Sequence, residues 1–397
     1  MSHRLKQRGR PHLVLERHRI AERWRSERWD GLRFQFPNWS VRLPDFPFPH
    51  ADPDGFATVD EIVRFIDAYA AFVDPPIRCG VEVTALRRNE RRFHAETSNG
   101  SIEADNVVVA TGPYQRAVMP GMLAGTGIFQ VHANHYRAPR QLPDGAVLIV
   151  GAGASGAQIA EELLLAGRRV WLSVGQHRRM PRRYRGNDLI WWLAKMGIDR
   201  IPVEKRGPPV PLPLITGAEG GHTIDFRDFL ARGVTLLGRA EGARNGTMMF
   251  ADDLAASVAD GDTAYAGFLD MVDQFVAREG LDAPLEPAAR ANLSAPLSLP
   301  EPQRPLDLRA NDINAVIWAT GYGFDLDWLD LPVFEANSAP RQRHGVTEIA
   351  GLYFLGLQWQ SRMSSSFLSG VGDDAARLAG HIAERSCQLT TGGAPSR

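Results

Sequence analysis

At 397 residues the chain is long enough for two or three packed domains. A hydrophobic share of 44%, a charged share of 23% and a formal net charge of -1 describe an ordinary globular chain. No global field draws it to nucleic acid or to an anionic membrane. Its two cysteines, Cys79 and Cys387, lie far apart, which excludes a CxxC dithiol and a four-cysteine zinc site and suits a cytoplasmic protein.

The opening residues, Met1 to Lys6, are charged and lack the apolar run of a signal peptide. No window reaches the roughly 18 apolar residues of a membrane span. Arginines crowd residues 1–33, but hydrophobic periodicity runs through the same stretch, so it reads as folded rather than as a nucleic-acid arm. Residues 1–9 read as a helix tail stopped at Gly9. A short buried strand follows over 11–16 and ends in an acid, Glu16. A loop rich in Arg and Trp then runs to the turn-dense segment Leu43 to Pro49. The spacing of Val59, Ile62, Phe65, Ile66 and Tyr69 predicts a helix over 58–73, capped by Thr58 or Asp60. Strands are expected at 80–87 and 92–97 with a turn at Asn99-Gly100. Residues 106–110 are a continuous apolar strand, the pattern of a sheet covered on both faces.

A second unit begins near residue 143, with a buried strand over 145–150, a helix over 155–166 and a strand over 169–174. Residues 200–305 are rich in Pro and Gly with weak periodicity, and are expected to form loops over a cleft with one helix at 265–278. A last apolar strand over 315–318, another strand over 352–357 and a helix over 371–386 close the chain. Strands alternating with helices predict an α/β fold with parallel sheets.

Gly151-Ala152-Gly153-Ala154-Ser155-Gly156 is GxGxxG directly after a buried strand and opening a helix. The first glycine permits the turn, the second lets backbone approach a pyrophosphate, and the third lets helix pack on strand. Unpaired N–H groups at the helix start then face the phosphates. The next strand ends in Ser173 rather than an acid, and Arg178, Arg179, Arg182 and Arg183 follow. A carboxylate there would repel a 2′-phosphate, whereas serine and guanidinium groups bind one, so NADPH is favoured over NADH. The plainer reading of these arginines is a solvated basic loop.

Glu16 ends its strand as the ribose-binding acid of another such unit would. That unit's first strand and glycine loop belong about 20 residues earlier, before Met1. The expectation is a chain truncated there, by a misassigned start or by a deletion, with strand edges left open.

With these motifs on the page, the chain resembles bacterial flavin-containing monooxygenases, including the indole-pyruvate monooxygenase-like group and flavoproteins once linked to cation transport. The carriers are Val14 to Arg17, Trp24-Arg25, the Leu43 to Pro49 turn, Ala110-Thr111-Gly112, Gly151 to Gly156, Ala319-Thr320-Gly321-Tyr322, Gly351 to Gly356 and Gly370 to Ala375. The resemblance implies two nested Rossmann-like dinucleotide-binding domains, for FAD and NADPH, the FAD domain missing its first strand and glycine loop. Residues 1–140 would be the first part of the FAD domain, 141–318 the NADPH domain, and 319–397 the return to the FAD domain. Glu16 would bind the FAD ribose, with Arg17 beside it, and Trp24 and Arg25 would lie near the phosphates. Val83 would contact adenine. Ala110, Thr111 and Gly112, with Ala319, Thr320 and Gly321, would close the flavin pocket, and Asp373 or Asp374 would face the ring.

The implied activity inserts one oxygen of O2 into a small organic substrate, with no metal, nucleic-acid or membrane partner and with a homodimer left open. The family's FxGxxxHxxxY pattern survives as His132 and Tyr136, with Thr126 and Ile128 in the Phe and Gly positions. Gln35, in Gln35-Phe36-Pro37, stands where the family places an asparagine near the flavin. Gln35 and His132 are the catalytic candidates; their plainer readings are a polar turn residue and a structural histidine between domains. Trp191 and Trp192 could wall a substrate pocket or form a buried helix face, and Ser364 to Ser366 could bind phosphate or shape a loop. Three rivals remain. A flavin disulfide reductase needs a cysteine pair that is lacking, and a Baeyer–Villiger enzyme carries a fuller signature. The third is a degenerate or truncated NADPH-binding protein without FAD or oxygenase activity.

Overall fold

In the computed structural model, residues 1–90, 92–291, 293, 305–335 and 339–391 are described, the last five of them by backbone alone. The best-built part is a five-stranded sheet in the order Phe129–His132, Ile313–Trp318, Ala146–Val150, Val170–Ser173, Thr235–Leu237. All of its neighbours run parallel. Every residue of the central strand Ala146–Val150 is buried, because alternate side chains point to opposite covered faces. Val147 and Ile149 meet Ala157, Ile159, Ala160 and Leu163 around the helix Ala154–Leu165. Ala146, Leu148 and Val150 meet Met248, Phe250, Leu306 and Trp318 on the other side.

The parts of the chain that should carry the other dinucleotide unit are paired differently. Val14–Glu16 runs parallel to Ile77–Cys79, and Val107–Val109 runs parallel to Leu352–Phe354. Among the described residues no ladder joins the two pairs. As a result Val14, Leu15 and Glu16 are all only half-buried, and Leu13 before them is 39% exposed. The helix Ser2–Gln7 and the last helix, Val371–Thr391, cover the second pair through Leu5, Tyr353, Leu355, Leu378 and Ile382. A three-stranded antiparallel sheet, Val83–Asn89, Arg92–Thr97 and Gly100–Ala104, packs Leu86 and Phe93 against Val109 and Leu352.

The helix Val59–Val73 starts where its spacing puts it, and Thr58 rather than Asp60 caps it. The Thr58 side chain accepts from the Glu61 N–H while Glu61 reaches back to the Thr58 N–H at 2.7 Å. The loop rich in Arg and Trp contains a short helix, Glu22–Ser26, that was not expected. Strand Gly100–Ala104 extends beyond the Asn99-Gly100 turn as a third strand.

The largest departure lies in 200–305, expected as loops with a helix at 265–278. The helix runs Leu254–Glu279, and the region also supplies the edge strand Thr235–Leu237 and a hairpin of Ala240–Arg244 with Thr247–Phe250. The buried face of that helix begins with Leu254, Val258, Gly261 and Tyr265 at helical spacing, and the glycine at 261 interrupts the apolar series there. A Cβ on Gly261 would come within 2.4 Å of the His177 ring nitrogen Nε2. Residues 294–304 of this region lie outside the described ones. The reading of Trp192 as a buried helix face holds: it is fully buried in the helix Leu189–Lys195 and donates from Nε1 to the Tyr184 carbonyl at 2.8 Å.

Amide hydrogen exchange checks the contrast between the two strand systems. Val14–Glu16 is expected to exchange about tenfold faster or more than Val147–Val150. Equal protection would show that the first strand has a partner on both sides.

Candidate functional site

The glycine turn has the geometry its three roles require. Gly151 has φ of +103° and sits under the crossing segment, where an added Cβ would come within 2.6 Å of the Ala319 carbonyl. A Cβ on Gly156 would come within 1.8 Å of the Gly151 carbonyl, so the helix can lie on the strand only without a side chain there. Gly153 is the opposite case: it is exposed and nothing lies within 4 Å of its Cβ position. That open face, beside a helix start with no side-chain cap, is where a diphosphate can approach backbone N–H groups. Ser155 is exposed on the same turn.

The 2′-phosphate end sorts the arginines. Arg178, in the short strand Arg178–Arg179, is half-buried, and burial alone holds its pKa below the usual arginine value. Among the described residues its side chain has no ion pair or hydrogen-bond partner. Arg179 is spoken for. It donates to Asp262 at 2.6 Å and Asp225 at 2.5 Å with its side chain 5% exposed, and it lies over the Tyr265 ring. Ser173 is buried and also engaged, donating from Oγ to the Gly238 carbonyl at 2.9 Å and accepting from the Ala240 N–H at 3.1 Å. In this structure the Arg179 and Ser173 side chains are engaged by protein partners. Arg239, unremarked in the sequence, lies against Gly175 just past the strand end. Only the sheet order, which places the end of Thr235–Leu237 beside Ser173, reveals it.

The two Ala-Thr-Gly segments come together. Gln115 donates from Nε2 to Thr111 Oγ1 at 2.8 Å and to the Gly112 carbonyl at 2.7 Å, and its Oε1 accepts from the Asp325 N–H at 2.6 Å. Thr320 donates to the Val118 carbonyl, and Arg116–Ala117 pairs with Tyr322–Gly323. Gly112 and Gly321 have φ of +74° and +82°, and both face open space. Ala110 and Thr111 are exposed, whereas Ala319 and Thr320 are half-buried.

Several FAD candidates are occupied by protein partners. Glu16 accepts the His18 N–H at 2.9 Å on Oε1, Arg17 approaches Glu82 at 3.4 Å, and Arg25 is paired with Asp67. Trp24 is half-buried against Phe34 at 5.6 Å between centroids. Val83 opens the antiparallel sheet, and it is Val81 that donates to the Glu16 carbonyl, at 3.0 Å. Asp373 is exposed and paired with Arg362, so the buried member of that pair of acids is Asp374. Its Oδ1 accepts from Ser361 and from Arg377, and its Oδ2 has no partner.

Of the catalytic candidates, His132 is buried, as its plainer reading as a structural histidine expects. It is 1% exposed, with Nε2 3.1 Å from the Gly321 carbonyl and Nδ1 accepting the Asn134 N–H at 3.2 Å. Burial lowers its pKa, and Nδ1 also lies 2.8 Å from Asn134 Oδ1, so both ring nitrogens are engaged by protein groups. It pins the crossing and offers no nitrogen to a ligand. Tyr136 likewise donates to Glu162 at 2.8 Å. Gln35 differs: its backbone carbonyl accepts from Arg182 Nη1 at 2.8 Å, while its side-chain amide has no partner among the described residues. Arg182 in turn is fully buried and paired with Asp188. Ser365 Oγ accepts from the Ser361 and Arg362 N–H groups at 3.0 and 3.1 Å, while the Ser364 N–H donates to the Asp199 carbonyl at 3.1 Å.

The model of the pyridine nucleotide-disulphide oxidoreductase family matches residues 1–195. An uncharacterised CzcO-like oxidoreductase of Geobacillus kaustophilus is 31% identical over 382 residues, covering 93% of this chain and 90% of that one. A probable indole-3-pyruvate monooxygenase of Arabidopsis thaliana is 31% identical over 168 residues, 40% of each chain. Among solved structures, the flavin-containing monooxygenase from Stenotrophomonas maltophilia superposes with a TM-score of 0.62 at 16% identity, covering 94% of this chain and 98% of that one.

Two outcomes are expected from this geometry. Arg178→Met should weaken NADP+ binding about tenfold or more and leave NAD+ binding unchanged; equal losses for both would remove Arg178 from the phosphate. His132 has a lowered folded pKa, so the unfolded chain binds its proton more readily and stability should fall as pH drops below the ordinary histidine value of about 6.5. Urea unfolding of His132→Gln between pH 7.5 and 5.5 should show a shallower loss than the unaltered chain. Identical slopes would mean the ring titrates normally.

Proposed function

We propose, since the chain belongs to the CzcO-like oxidoreductases of the flavin-monooxygenase type, that it is an NADPH-dependent flavoprotein oxidoreductase. The observation that carries the reading is the open Gly153 face with the unpartnered Arg178 guanidinium near the end of the next strand. Together they fit a diphosphate and a 2′-phosphate. In this reading the N–H groups of the Gly151–Gly156 turn and the Ser155 hydroxyl hold the NADPH diphosphate, and Arg178 holds its 2′-phosphate.

FAD fits in part. Gly112 and Gly321 leave room for a ring system, and Glu16 has a second carboxylate oxygen for a ribose. No glycine turn among the described residues faces its diphosphate. Bound NADPH supplies a hydride and bound flavin passes electrons to O2, the chemistry of inserting one oxygen into a small organic substrate. The protein's share is orientation and exclusion of water. His132 and Gln115 lock the two crossings together, and Arg182 fixes the backbone of Gln35 so that its amide can meet a ligand.

A second reading is favoured by the split strand pairs: a chain that binds NADPH without retaining FAD. Visible spectra of the purified chain, before and after FAD and then NADPH, separate the two. The flavoenzyme reading expects a flavin band near the protein that bleaches with NADPH. NADPH binding with no retained flavin would establish the second reading, and failure to bind either would overturn both.

A further inference from the structure

After the helix Leu189–Lys195 the chain leaves the nucleotide half, reaches the other half and returns. On the way it is bonded to the loop 361–364, which precedes the closing helix Val371–Thr391. The Val203 N–H donates to the Ser361 carbonyl at 2.8 Å, the Met363 N–H to the Ile201 carbonyl at 3.1 Å, and the Ser364 N–H to the Asp199 carbonyl at 3.1 Å. Two side-chain contacts flank this ladder. Glu204 Oε1 lies 2.5 Å from His344 Nε2, and the Arg206 guanidinium lies over the Trp359 ring, 5.2 Å from its centroid. Ile198 and Met363 both pack on the cluster that holds Trp192, Tyr265 and Phe268. The return ends where Pro213–Leu214 pairs with Arg178–Arg179, and Gln158 Nε2 donates to the Ile215 carbonyl at 2.7 Å.

Between these two anchors, Arg206 to Val210 are all exposed and form no helix or strand. Pro208, Pro209 and Pro211 stiffen the span without adding donors. Two features oppose the latched position. Trp359, under Arg206, holds a left-handed φ of +52°, a costly backbone for an aromatic residue. Asp199 Oδ1 is buried without a hydrogen bond, and burial raises the pKa of that carboxyl, with Arg200 and Arg362 opposing the shift. Opening returns that oxygen to water. The loop below also reaches the crossing, since Gln358 Nε2 donates to the Tyr114 hydroxyl at 3.0 Å. A continuous ladder set against local costs is the build of an element with two positions.

We propose that residues 198–212 are a strap that opens and closes as one unit across the two halves, with the ladder to 361–364 as its latch. Its far end is the strand paired with Arg178, so a 2′-phosphate held there steadies the closed position. Only that last link rests on the NADPH reading of the site.

The test is amide hydrogen exchange on the full chain, read at Val203, Met363 and Ser364. Opening as a unit gives the three amides a common opening equilibrium. Val203→Pro removes one donor and spares the backbone: proline suits the first position of the turn Val203–Lys205, and Pro202 before it is already extended, at φ −70° and ψ 153°. Met363 and Ser364 keep their own bonds in this variant, yet both should exchange about fivefold faster or more. A bond that braces only its own backbone would not move them. Arg206→Met should speed all three amides about two- to fivefold. Circular dichroism identifies a variant that fails to fold, in which case Arg206→Met carries the comparison. Protection that differs more than about tenfold among the three amides, or no acceleration in the folded variants, overturns the strap. Bound NADP+ should slow exchange at all three about threefold or more. An unchanged rate with NADP+ bound overturns the link to Arg178. Failure of NADP+ to bind overturns the functional reading instead, and the variants still decide the strap.

Discussion

The approach of Gly156 to the Gly151 carbonyl, where an added Cβ would stand 1.8 Å from oxygen, sets the position of everything around the nucleotide turn. That contact lets the helix Ala154–Leu165 lie directly on the central strand. The same turn is closed from the other side by Ala319. The crossing back toward the chain's other half is thus packed against the turn that would hold a diphosphate. Gly153, between the two tight glycines, is left free. Backbone crowding on two sides and openness on the third produce a surface of N–H groups, with no side chain needed to shape it.

From that turn the crossing carries order outward. His132 links the edge strand Phe129–His132 to Gly321, and Tyr322 continues into the pairing with Arg116–Ala117. Gln115 ties Thr111, Gly112 and Asp325 into one node. Burial lowers the pKa of His132, and both of its ring nitrogens are held by protein partners, Asn134 and Gly321. The two halves are therefore connected by directional hydrogen bonds, which fix geometry more narrowly than apolar packing does. The halves themselves differ in build. The five-stranded sheet buries its central strand on both faces, while Val14–Glu16 keeps a half-exposed strand beside a single partner.

Charge is distributed by the same logic. Arg179 and Arg182 are sunk among Asp225, Asp262 and Asp188 and act as ties between elements. The half-buried Arg178 side chain has no such carboxylate partner among the described residues. Four neighbouring arginines in the sequence look equivalent, and composition cannot separate them. The difference arises from which element each side chain meets: Arg179 faces Asp262 of the long helix, more than 80 residues onward, as the separation of 83 shows.

The glycine turn, the helix over 59–73 and the apolar central strand were legible in the chain, because each depends on residues close together in sequence. Spacing of apolar side chains, a capping Thr-Glu pair and a three-glycine pattern are local instructions. The roles of Ser173, His132, Asp373 and Arg179 were not legible, since each is settled by a partner supplied from elsewhere: Gly238, Gly321, Arg362 and Asp262. In the helix Leu254–Glu279 the glycine at 261 interrupts the apolar series of the buried face, at a position where a side chain would strike His177. Local pattern specifies which segments become helix, strand or phosphate-ready turn. Whether a polar side chain binds a ligand or braces the fold depends on long-range contacts, because a hydrogen-bonding group satisfied by a distant neighbour is no longer available to a substrate.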